Sequence, residues 1–134
     1  MILLDTNVLA ELCRQRPDPA VEHWAGSALS PFGLSVVTVE EIQFGLAWKP
    51  NARIESLIDR FLAERCEIFP VTMPVARRAG TLRGQFRRTG RTRTQADMLI
   101  AATAQVHQLP VATRNVRDFE GCGLALLNPF ESMT

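Results

Sequence analysis

Short apolar runs alternate with stretches whose apolar residues recur every three or four positions, and this alternation continues along the whole chain. Ile2, Leu3 and Leu4 are apolar at consecutive positions in a run too short for a helix, the pattern of a strand buried on both faces. Residues 8–13 take helical character, and Pro17 and Pro19 mark a turn-rich connection over 14–19. A second helix is predicted over 20–29, with Val21, Trp24, Ala25 and Leu29 on one side, and Ser30, Pro31 and Gly33 end it. The β-branched character of 34–37 predicts a second strand. Thr38, Val39, Glu40 and Glu41 then have the form of a capping box, opening a helix that runs to Lys49 and Pro50.

Residues 52–66 place Ile54, Leu57, Ile58, Phe61 and Leu62 at helical spacing, and 67–71 reads as a short strand. Pro74 suits the first turn of a long helix carrying Val75, Ala76, Ala79, Leu82 and Phe86 on one face and arginines on the other, ended by Thr89 and Gly90. Arg91, Thr92 and Arg93 form a basic loop. Thr94 has the spacing of a cap, and 98–106 is a helix apolar on nearly all sides and therefore buried. Strands are predicted over 110–113 and 124–127, with Asn128, Pro129 and Phe130 closing the fold. Alternation of strand and helix predicts an α/β protein, a three-layer α/β/α sandwich around a central parallel sheet, formed by a single domain over 1–134.

Composition narrows the function classes. Apolar residues make 46% and charged residues 22%, ordinary for a folded chain. No apolar run approaches the roughly 20 residues of a membrane span, and no basic segment precedes an apolar one at the N-terminus, so a cytoplasmic protein with no membrane contact is expected. Cys13, Cys66 and Cys122 have no paired spacing, and only two histidines are present, which speaks against disulfides and zinc. The net charge of +1 conceals an uneven distribution. Seven of the fourteen arginines lie between Arg77 and Arg93, and no acid occurs from Ile68 to Ala96.

Asp5 ends the first strand, Glu41 falls in the first turn of the helix after the second, and Asp97 opens the buried helix. The region after the fourth strand adds Asn115 and Asp118. If the strands are parallel, these positions share one edge of the sheet, where ligands of open α/β sheets bind. Each acid alone also suits a helix N-terminus, which favours negative charge by about 0.3–1 kcal/mol. Together they would repel one another unless a cation held them, and hard oxygen donors favour Mg²⁺ or Mn²⁺. Such an ion can activate water and stabilise the leaving oxygen of a phosphodiester. The arginines that lead into Asp97 fit a nuclease, with RNA contact expected from Arg91 and Arg93. Trp24, Phe44, Trp48, Phe61 and Phe69 lie on apolar faces and are expected in the core or a dimer interface rather than as base-stacking platforms.

Four stretches carry a family resemblance: residues 2–9 with Asp5, Thr6 and Asn7; residues 35–42 with Glu41 and, beyond it, Gly45; residues 96–104 with Asp97; and residues 111–119 with Thr113, Arg114, Asn115 and Asp118. In this order and spacing the chain resembles the PIN-domain ribonucleases, specifically the VapC and FitB-like toxins of bacterial type II toxin–antitoxin modules. The resemblance implies Mg²⁺- or Mn²⁺-dependent endoribonuclease activity, a homodimer and a hetero-oligomer with a cognate VapB-like antitoxin. It matches Asp5, Glu41 and Asp97 to the three core acids, Glu41 rather than Glu40 because it directly precedes the apolar residue and stands four before the glycine. For the fourth acid the chain departs from the simplest pattern, offering neutral Asn115 directly after the strand and Asp118 about one turn later. Asp118 is the candidate catalytic and metal-binding group there. Thr6, Thr113 and Asn115 are expected to orient the carboxylates.

Two other readings remain open on the residues alone. One is a catalytically silent PIN-fold module acting through protein or RNA contacts, suggested by the neutral Asn115. The other is a phosphatase with Asp5 as nucleophile, which would want an acid two residues on, where this chain has Asn7, and a lysine near the site, whereas the only lysine is Lys49.

Overall fold

The computed structural model describes residues 1–131, so the end of the domain expected over 1–134 lies outside the described residues. Five strands form one sheet: β1 (Leu3–Leu4), β2 (Phe32–Ser35), β3 (Cys66–Phe69), β4 (Val111–Ala112) and β5 (Leu126–Leu127). Six helices connect them: α1 (Thr6–Leu12), α2 (Pro19–Gly26), α3 (Val36–Trp48), α4 (Ala52–Arg65), α5 (Met73–Arg88) and α6 (Gln95–His107). A 3-10 turn, Val116–Phe119, lies between β4 and β5. The strand order is β3-β2-β1-β4-β5 and every pairing is parallel, as the alternating pattern predicts. Among the described residues no helix is long and apolar enough to cross a membrane.

The strand period of two sorts the core. Leu3 faces a cluster with Val75, Ala79, Leu82 and Phe86 of α5 and the apolar residues of α6. Leu4 faces the opposite cluster with Val8 and Leu9 of α1, Val21 and Ala25 of α2, and Ile58 of α4. Successive side chains of one strand thus enter opposite layers, and the three-layer sandwich follows. Close approach needs a glycine at position 33, opposite Leu3 in the sheet: a Cβ there would lie 3.1 Å from the Phe69 ring and 3.2 Å from Leu3.

The largest departure from the pattern lies at the second strand. Residues 34–37 were expected to be extended, yet β2 ends at Ser35, and Val36 and Val37 are already helical. The Ser35 hydroxyl accepts a hydrogen bond from the Val37 amide and caps α3. Thr38 is therefore no cap, and Glu41 stands in the second helical turn rather than the first. The helix expected over 20–29 stops at Gly26, leaving Leu29 fully exposed. Thr94 caps α6 as its spacing predicts, and Pro74 lies in the first turn of α5, which Thr72 caps. Trp24 and Phe61 flank Phe32 in the core and Phe69 packs on His107, but Phe44 and Trp48 are 66% and 70% exposed on α3. All three cysteines are free.

Candidate active site

Asp5 leaves β1 and caps α1, yet capping uses only one of its oxygens. Its Oδ1 accepts from the Thr6 amide at 2.8 Å. Its Oδ2 accepts from the Thr113 hydroxyl at 2.8 Å and from the Asn7 side-chain amide at 3.1 Å. The residue is 5% exposed. Burial raises its pKa, the donors from Thr113, Thr6 and Asn7 pull it down, and Glu41 raises it further.

Parallel pairing explains why these residues meet. β1 and β4 lie side by side, with Leu4 opposite Ala112, so Asp5 and Thr113 leave the sheet together. The Asn115 amide in turn donates to the Thr113 hydroxyl oxygen at 3.0 Å, so Asn115 secures the donor that orients Asp5. On the other side, β2 delivers α3 beside α1. The Thr6 hydroxyl donates to Glu41 Oε1 at 2.7 Å and lies 3.1 Å from the Thr38 hydroxyl, which is fully buried. One threonine thus links two of the expected acids through its amide and its hydroxyl.

Asp97 enters from the N-terminal turn of α6, where the Thr94 hydroxyl accepts from its amide at 3.1 Å. Its pKa is pushed up to about 6, first by burial and then by the negative charges of Asp5, Asp118 and Glu41, with the Thr94 hydroxyl acting in the opposite sense. The four expected acids therefore share one electrostatic field. Asp118 is exposed on the 3-10 turn, held through its amide to the Asn115 carbonyl. Among the described residues no three acid, histidine or cysteine side chains stand close enough to hold a metal ion as they are placed. Nor does any of the four acids have a basic side chain in ion-pair range, since the only ion pair among the described residues joins Arg14 to Glu11.

The arginines divide. Arg91 is exposed on the loop that leads into α6, in a cleft with Arg83, Arg87 and Arg93. Arg93 donates to the carbonyls of Arg117 at 2.9 Å and Glu120 at 2.8 Å and stacks over Phe86 at 4.3 Å, so its guanidinium braces the turn that carries Asp118. RNA contact was expected from both; Arg93 also holds the turn that carries Asp118. Asn7 and Thr38 had no assigned role in the sequence reading. Asn7 carried a signal in its place two residues after Asp5, whereas Thr38 was hidden by its misplacement at a helix cap.

Residues 2–121 match the PIN domain family. This chain is a PIN-domain protein. It is 38% identical over 140 residues to VapC ribonuclease Y4jK of Sinorhizobium fredii, covering 98% of this chain and 99% of the relative. Its fold superposes on FitAcB from Neisseria gonorrhoeae with a TM-score of 0.83 at 34% identity, covering 98% of this chain and 100% of that one. A toxin-antitoxin complex from Klebsiella pneumoniae gives a TM-score of 0.76 at 25% identity, covering 98% and 100%.

Proposed function

We propose that this chain is a divalent-metal-dependent endoribonuclease and the toxin of a toxin–antitoxin pair, with Asp5, Glu41, Asp97 and Asp118 holding Mg²⁺ or Mn²⁺. The observation that carries the reading is Asp5. It is a buried carboxylate with three hydrogen-bond donors and no cation, placed among further carboxylates. Uncompensated like charges in a half-buried site are unfavourable, and a bound cation is what would reconcile them. The donor set fits a hard dication, being all oxygen with no thiolate or imidazole. When bound, such an ion polarises a water and neutralises charge developing on a phosphodiester.

The chain's own residues supply orientation. Thr6, Asn7 and Thr113 fix both oxygens of Asp5, and Thr6 fixes one oxygen of Glu41, leaving their remaining lone pairs for ligation. Asp97 and Asp118 bring the flanking carboxylates. Asn115 acts through its amide on Thr113, so the neutral side chain at this position does not remove its contribution. Arg91, exposed in a cleft with Arg83 and Arg87, is available to the RNA backbone, and Arg93 holds the Asp118 turn. The names of the relatives support the ribonuclease and toxin reading, and the matched complexes support a VapB-like antitoxin as partner. The exposed Phe44 and Trp48, with ring centroids 6.3 Å apart, support a protein contact on α3, in the antitoxin complex or a homodimer.

The test is cleavage of a mixed RNA pool by the purified chain with Mg²⁺, Mn²⁺ or EDTA, with Asp97→Asn run beside it to exclude a contaminating nuclease. Metal-dependent cleavage that the substitution abolishes is expected. An equally active Asp97→Asn preparation, or no cleavage in any metal, would contradict the proposal and favour a PIN fold that acts by binding alone.

A further inference from the structure

Beyond the four acids, one arginine joins the site to a cleft that no part of the catalytic reading uses. Arg114 directly follows Thr113 and leaves β4 at the same edge as Asp5. Its amide donates to Asn7 Oδ1 at 3.1 Å, and the same Asn7 side chain donates to Asp5 Oδ2 at 3.1 Å. A single amide side chain therefore fixes the distance between Arg114 and the central acid. The guanidinium is stacked over Phe130 at 4.7 Å, which restricts its long side chain to one direction. Its carbonyl is also within 3.5 Å of the Asn128 amide, so the backbone is held from both sides.

Arg114 stands between two clefts. One, of about 310 Å³, is lined by Arg114, Asn115, Arg117, Asp118, Asn128 and Glu131 and so reaches one of the four acids, Asp118. The other, of about 460 Å³, is lined by Glu11, Arg14, Arg16, Asp18, Arg114 and Phe130. The two carboxylates in the second cleft are already engaged. Glu11 accepts from Arg14 at 3.1 Å and from the Asp18 amide at 2.9 Å, and Asp18 accepts from the Ala20 amide to cap α2. Arg16 and Arg114 have no acid in ion-pair range among the described residues. The cleft thus presents unbalanced guanidinium groups and meets, at Arg114, the cleft that reaches Asp118.

We propose that Arg114 binds a phosphate of the RNA strand next to the one being cut, and that the cleft formed with Arg14 and Arg16 receives the following stretch of that strand. This rests on the ribonuclease reading and adds the direction of the substrate to it. A planar guanidinium on an aromatic shelf offers a fork of donors matched to phosphate oxygens. Two clefts separated by one arginine match an extended backbone better than a single bound anion. The recognition is of phosphate and is indifferent to base identity.

The experiment uses the full chain and a short single-stranded RNA that the unsubstituted protein cuts in Mg²⁺. Arg114→Gln should raise KM about tenfold or more, the size of one lost charge-assisted contact, with kcat nearly unchanged. Fluorescence anisotropy of the same RNA, labelled, on the Asp97→Asn protein should show the salt slope of binding reduced by about 0.7 when Arg114→Gln is added. Arg114→Lys should restore part of both. Arg16→Gln should give a smaller shift in the same direction, whereas Arg53→Gln on α4, the same charge change outside the cleft, should give none. Active protein whose KM and salt slope are unmoved by Arg114→Gln would overturn the path and leave the cleft to a protein partner, while the ribonuclease reading stands. A fall in kcat alone would overturn it equally. Absence of both cleavage and RNA binding in the unsubstituted protein would overturn the two readings together.

Discussion

Two buried acids sit at opposite ends of α1, and they are solved differently. Glu11 is 6% exposed and Asp5 is 5% exposed. Glu11 has its counter-charge in the chain, Arg14 one turn away at 3.1 Å, and a backbone amide on its other oxygen. Asp5 has three hydrogen-bond donors but no positive partner among the described residues, and the charge that acts on it is that of Glu41. Burial alone therefore does not mark a functional carboxylate, since Glu11 is as buried and its surroundings are complete. What marks Asp5 is a pre-oriented carboxylate whose counter-charge the chain does not supply. Arginines show the same contrast: Arg93 satisfies two carbonyls within the fold, whereas Arg114 has no acid in ion-pair range among the described residues.

The contrast is broken most directly through activity. Asp5→Asn or Asp97→Asn should lower metal-dependent RNA cleavage by about 10³-fold, as loss of a group that stabilises developing charge does. Glu11→Gln should leave metal affinity and kcat within about twofold once the variant is folded. Comparable losses in both would erase the distinction. Next in size, Thr113→Val and Thr6→Val should each cost about 10–100-fold in metal affinity or activity, because the carboxylates they orient would lose their fixed direction. A direct titration of metal into each variant separates affinity from rate.

Stability should move in opposite directions. Glu11→Gln should destabilise the chain by about 1–2 kcal/mol, less than the loss of a fully buried pair because Arg14 is largely exposed. Asp97→Asn should stabilise the metal-free chain at neutral pH by about 1 kcal/mol, after allowance for solvent screening, by removing a carboxylate whose ionised form the fold disfavours. Urea unfolding in EDTA reads both.

The smallest effect is on pH dependence. The Asp97 pKa rises from 3.8 to about 6 on folding, so the folded chain holds this proton more tightly than the unfolded one. Its contribution is fully favourable below about pH 4 and is lost as pH rises through about 6. Midpoint temperature in EDTA should therefore fall between those values and level off above them. Asp97→Asn should flatten that part of the curve, and saturating Mg²⁺ should restore stability at neutral pH.

Much of this was legible in the sequence where local pattern and tertiary role agree. The apolar run before Asp5 and the cap before Asp97 specified a strand end and a helix start, and parallel connectivity then put the acids in one electrostatic field. The second strand misled because Val36 and Val37 have strand propensity, yet helical packing overrides it once Ser35 caps α3. That two-residue error hid Thr38, whose hydroxyl meets Thr6 only through the side-by-side placement of α1 and α3. The roles of Arg93 and Arg114 were illegible for a similar reason, since they depend on carbonyls and rings far along the chain. Exposure of Phe44 and Trp48 could not be read either, because an apolar helix face has the same pattern whether it meets the core or a partner.

Calorimetric titration of Mn²⁺ into the metal-free chain, beside Asp5→Asn and Glu11→Gln, tests most directly that Asp5, and not the Arg14-paired Glu11, is a metal ligand. Saturable binding that survives Glu11→Gln and is lost in Asp5→Asn is the predicted result. Binding that persists in Asp5→Asn, or none in the unsubstituted chain, would contradict it.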